Sequence, residues 1–285
     1  MTFLDSLEYL PPVPLFFVTL AMGLVAAGVL LLIVRTVSRA LGVGATDVLA
    51  VRDSLITSLS AIFALMVAFS AAGIWNDWLQ GRAAIQREAN ALENAFALAS
   101  DLPDDLRQEA RTQILGVAHR ILEHDWPMMM HVTSADRVLN EPSQVVKLIS
   151  RLSTRTANGG LAPQANLVLA QLYDLRSARV QREMIARAGV SAAQWTAMLV
   201  IAGAALVLIG LGYNHDLPLR ITTAGIYTVA VSAALYVVVA HNTPFVGYLS
   251  IKPVPIEQAM QRMEEEIKHQ SPPAAPNVIS DTRPR

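Results

Sequence analysis

Cysteine is absent from the 285 residues, which excludes disulfides, thiolate metal centres and a thiol nucleophile. Charge is scarce as well. Asp, Glu, Lys and Arg make up 16% of the chain, against about a quarter in a soluble domain. The net charge of −1 lacks the basic surplus that a nucleic-acid partner demands. Four apolar runs dominate the hydropathy, and apart from Arg220 at the margin of the fourth they hold no Asp, Glu, Lys or Arg. Proton relays and ion-coupled transporters usually keep ionisable groups at that depth. A pump or secondary transporter is therefore disfavoured, which leaves a passive pore or a scaffold without transport. No HExxH, phosphate-binding glycine loop, nucleophile elbow or hydrolase-type carboxylate pair occurs, so the reading is of a non-enzyme with no cofactor and no metal.

What is present is 53% hydrophobic residues and a mean hydropathy of +0.40. The runs are 15–34, 55–75, 192–212 and 219–241, each about the length that crosses a hydrocarbon core as a helix. The fold class expected is all-α: an integral membrane protein with four transmembrane helices and a helical-bundle soluble insert between the second and third. The first run follows Asp5 and Glu8 rather than a basic segment, so it is read as retained, not as a signal peptide. Pro11-Pro12-Val13-Pro14 marks the point where the chain enters the membrane, and Asp53 or Ser54 is placed to cap the second span. Gly23, Ala27 and Gly28 offer a small face for close helix approach. Thr228, Ser232 and Tyr236 share one stripe of the fourth span, suited to hydrogen bonds between helices.

The domain plan is 1–75 with the first two spans, 76–191 as the insert, 192–241 as the second hairpin, 242–270 as an exit segment with a helix, and 271–285 as a disordered tail. Within the insert, the pattern predicts helices at about 76–100, 102–124, 142–156 and 163–188. Asp101 is placed as the cap of the second, whose apolar face is Leu106, Ile114, Val117 and Ile121 and which Pro127 stops. Residues 128–141 read as a loop. Val168, Leu172, Leu175 and Ile185 mark the buried side of the last helix, with Arg176, Arg179, Arg182 and Arg187 elsewhere. The excess of arginine on the insert side puts the insert and both termini in the cytoplasm of a multi-pass protein of the bacterial inner membrane.

Two groups of residues are candidates for function. Ser58, Ile62, Leu65 and Phe69 recur at spacings of four, three and four, giving one stripe on the second span. Such a stripe is either an apolar constriction around a pore or a packing surface. Glu88, Asn90, Glu93 and Asn94 crowd the continuation of the same helix, where they line a vestibule or make polar packing. His119, His124 and His131 lie near Glu123 and Asp125, but their spacing does not make a ligand set.

Three stretches then carry a family resemblance: AFSAAGIWNDWLQGRAAIQREANALENAF, LYDLRSARVQREMIARAGVSAAQW and NTPFVGYLSIKPVPIEQAM. In that order, with the spans, they resemble the bacterial bestrophin-like domain proteins and, more distantly, the bestrophin anion channels. The resemblance implies a closed cyclic homo-oligomer of five subunits in membrane lipid, conducting inorganic ions. It also places Phe69, Leu65 and Ala61 at an apolar neck, with Ile62 the alternative to Ala61 by helical phase. The acidic calcium clasp of animal bestrophins has no counterpart here. A non-conducting scaffold or sensory adaptor, whose insert binds a partner protein, is the other reading.

Overall fold

The computed structural model describes residues 10–41, 46–130, 144–159, 163–212 and 217–270. Among these every regular element is a helix. In chain order they are α1 (Pro12–Leu41), α2 (Thr46–Ala99), α3 (Asp104–Arg120), a π turn (Ile121–Asp125), α4 (Trp126–Met129), α5 (Gln144–Gly159), α6 (Pro163–Ala186), α7 (Ala192–Gly212), α8 (Leu217–His241) and α9 (Val254–Gln270). Four of them, α1, α2, α7 and α8, are long and apolar enough to cross a membrane. The chain divides into two compact units. The first comprises Met1–Ala84, Asp125–Glu141 and Arg179–Lys252, and the second Ile85–His124, Pro142–Ala178 and Pro253–Arg285.

In the first unit α1 packs along α8 and α7. Gly23 permits this, because a Cβ there would run into the Ser232 hydroxyl. Further along, Ala27 and Ala224 join Leu206 and Ile209 in one apolar cluster. Phe16 meets Tyr236 edge-on at 5.4 Å between ring centroids. The small face is thus Gly23 and Ala27; Gly28 is exposed and has nothing near it. The stripe Thr228, Ser232 and Tyr236 does pack between helices, but Thr228 donates its hydroxyl hydrogen bond to Ala224 O of its own helix at 2.7 Å. The interhelical bond comes instead from Tyr227, whose hydroxyl donates to Ala202 O at 3.2 Å.

Helix starts differ from the sequence expectation in instructive ways. Pro12 and Pro14 lie inside the first turn of α1, where a missing N–H costs nothing. Asp53 and Ser54 cap nothing, since α2 already begins at Thr46. Asp101 is not the cap of α3 either; Pro103 holds that position without a side-chain bond. A true capping box opens α7: Gln194 N–H donates to Ser191 Oγ at 3.2 Å, and Ser191 N–H donates back to Gln194 Oε1 at 3.0 Å. Pro127 sits in the first turn of α4 instead of ending a helix, and 126–129 is helical where a loop was expected from 128.

The exit after α8 explains its own sequence. Phe245 is buried, with its ring edge-on to Trp126 at 5.8 Å, and a Cβ at Gly81 would press on it and on Ile251. Gly247 then turns the chain at φ 86°, a conformation that favours glycine. In the second unit, α3 packs on α9 and on α5. Arg111, stacked over Phe96 at 4.1 Å, bonds Glu266 at 2.8 Å. The expectations for 131–141, the 213–216 connector, His131 and the tail from Ser271 fall outside the described residues.

Candidate functional site

α2 is a single helix of 54 residues, about 80 Å long at 1.5 Å per residue. Its inward side in the membrane unit is set by Phe63, Ser70 and Ile74, all buried. Phe63 packs with Met198 and Ala202 of α7. The candidate stripe has the opposite phase. Phe69 is 65% exposed, Leu65 55% and Ile62 49%, and Ser58 and Ala61 are exposed as well. The Ser58 hydroxyl donates to Ser54 O at 2.8 Å, one turn back along the same helix. Large apolar side chains are thus presented outward in register over three turns. They are available to lipid, to a second copy of the chain or to a water-filled path.

The polar candidates on the continuation of α2 do not form one constellation. Glu88 is fully buried. Asn90, Glu93 and Asn94 occupy another side of the helix, and each is engaged. Gln86 donates to Asn90 at 2.9 Å, Arg262 of α9 bonds Glu93, and Asn94 donates to Gln171 of α6 at 3.3 Å. His119 lies between Glu264 at 3.1 Å and Glu123 at 3.5 Å. Among the described residues no three His, Asp or Glu side chains converge as a metal site requires.

A polar centre in the first unit is not evident from the sequence pattern. Arg179 and Arg182, expected away from the buried side of α6, are both buried. Arg179 spans two acids, with Nη2 at 3.0 Å from Asp125 Oδ2 and Nε at 2.7 Å from Glu183 Oε1. Arg182 lies over the Trp126 ring at 5.5 Å and reaches the Met129 sulfur. The four formal charges cancel. The signal was the Arg179–Glu183 spacing of four; the missing partner, Asp125, comes from the π turn, which has no sequence signature.

Four helices long and apolar enough to cross a membrane, with further helices between the second and the third, define a helical membrane protein. More specifically, the chain belongs to the Bestrophin-like domain family, whose model matches residues 21–256. Its fold is similar to that of a bacterial bestrophin homologue from Klebsiella pneumoniae, with a TM-score of 0.59 at 13% identity over 90% of this chain and 99% of that one. A single-site variant of a Klebsiella pneumoniae bestrophin homologue gives 0.60 at 12% identity, again over 90% and 99%. No curated protein matches the sequence.

Proposed function

We propose that the chain is a passive ion channel: a cyclic homo-oligomer, five subunits by family resemblance, in which α2 of each copy lines the central axis. Phe69 and Leu65, with Ala61 or Ile62, form an apolar neck whose wetting and width control conduction. The observation that carries this reading is the outward phase of the stripe. That face is open to symmetric copies of the same helix around an axis, the arrangement a cyclic homo-oligomer of this family would use. Asn90, Glu93 and Asn94, on the continuation of α2, are vestibule residues in this reading, with buried Glu88 structural. Six arginines near the second and third crossings on the insert side, against four on the opposite face, support a bacterial inner membrane with insert and termini in the cytoplasm.

The test is a planar-bilayer recording of purified protein. Unitary currents are expected, and Phe69→Ala is expected to raise unitary conductance severalfold by removing the bulkiest side chains of the neck. Silence across voltage and pH, with the oligomer intact, favours the scaffold reading instead.

A further inference from the structure

Arg220 lies in the first turn of α8 and is only 7% exposed. Its Nε is buried with no hydrogen-bond partner, and among the described residues no carboxylate pairs with it. The other buried arginines are compensated: Arg111 by Glu266, Arg179 by Asp125 and Glu183, and Arg182 by the face of Trp126. A guanidinium does not shed its proton, so burial alone in the end of a membrane helix is costly. Among the described residues nothing supplies the counter-charge, which leaves a place for an anion.

The position says which anion. α1 and α8 run antiparallel, with Phe16 opposite Tyr236, Gly23 opposite Ser232, and Ala27 in one cluster with Ala224. Carried one turn further, that register sets Arg220 beside the later turns of α1, where Arg35 and then Arg39 follow at intervals of four. Neither has an ion-pair partner among the described residues; Arg35 is half-buried and Arg39 exposed. Arg35 therefore stands near the level of Arg220, and exposed Arg39 follows about one turn further, where the apolar run ends. The N–H groups of the first turn of α8 add positive potential. Arginine matches phosphate geometry through paired N–H donors. Exposed Val29, Leu32 and Ile221 alongside suit acyl chains.

We propose that Arg220, assisted by Arg35 and Arg39, binds a phosphate group carried by an anionic membrane lipid at this end of the α1–α8 pair. The test is thermal unfolding of the purified full chain in neutral detergent, alone or with phosphatidylglycerol, phosphatidylcholine or inorganic phosphate at matched ionic strength. Phosphatidylglycerol is expected to raise Tm by about 3 °C or more, with no comparable rise from the other two. Arg220→Gln should lose that rise while melting no lower than wild type in detergent alone, because it removes an uncompensated buried charge. Should Arg220→Gln fold poorly, Arg220→Lys and the double variant Arg35→Gln with Arg39→Gln carry the test, each with a reduced rise. A rise from inorganic phosphate equal to that from the lipid overturns the lipid assignment and leaves a free-phosphate site. Equal rises in wild type and Arg220→Gln, or none in either, overturn the site altogether. The readout is independent of conduction.

Discussion

Arg179→Met is expected to be among the most damaging single substitutions in the chain. It takes away the cation that Asp125 and Glu183 share in a buried site. Removing one partner of a buried ionic group costs about 3–5 kcal/mol, and here it strips two buried carboxylates of the cation they share. In a chain of this size that is a drop in Tm of about 5–8 °C. The arrangement makes a second, opposite expectation. Combining Arg179→Met with Glu183→Leu removes one charge of each sign and leaves Asp125 balanced in number by Arg182, so much of the lost stability should return. Thermal unfolding of the two variants beside wild type checks both statements. A single variant melting within about 1 °C of wild type would falsify the ionic account of this centre.

Gly23→Leu is the second large effect, and it acts by shape alone. The Ser232 hydroxyl occupies the space of any side chain at this position, and Thr228 closes it from the other side. Both are buried on α8. Overpacking of this kind costs about 1–3 kcal/mol even where neighbours yield, and here the neighbour is a helix, so α1 and α8 must separate. Lower Tm and loss of folded material on size-exclusion chromatography are expected. Gly28→Leu is the matched control. It adds the same side chain to the same helix at a position with no atom within 4 Å, and it should behave as wild type. If the two variants lose equally, the cause is the extra side chain in α1 and not the contact with α8.

The four crossings were legible because hydrocarbon thickness sets a length that few soluble helices match with so little charge. The same holds for the insert core. Leu106, Ile114, Val117 and Ile121 are all buried, as are Val168, Leu172, Leu175 and Ile185. What the sequence obscured were local polar choices. Asp53, Ser54 and Asp101 look like caps, yet a helix that starts earlier or later leaves them no orphan N–H to bind. Arg179 and Arg182 look like surface residues, because composition weighs charge without regard to a partner from a distant turn. The outward phase of Ser58, Ile62, Leu65 and Phe69 was the least decidable point. Period fixes which residues share a face, but not whether that face meets its own bundle, a fact that rests on the phase of Phe63 and Ile74.

One small contact carries implications for biogenesis. Between α6 and α7 the chain breaks at Gly189, and the N–H of Val190 is accepted by Asn242 Oδ1 at 2.9 Å, a residue 52 positions later at the end of α8. The bend that admits the third crossing is thus fastened by the residue that leaves the fourth. During synthesis that fastening cannot close until the fourth crossing has emerged from the ribosome, so the bend at Gly189 stays unfastened while the third crossing is made.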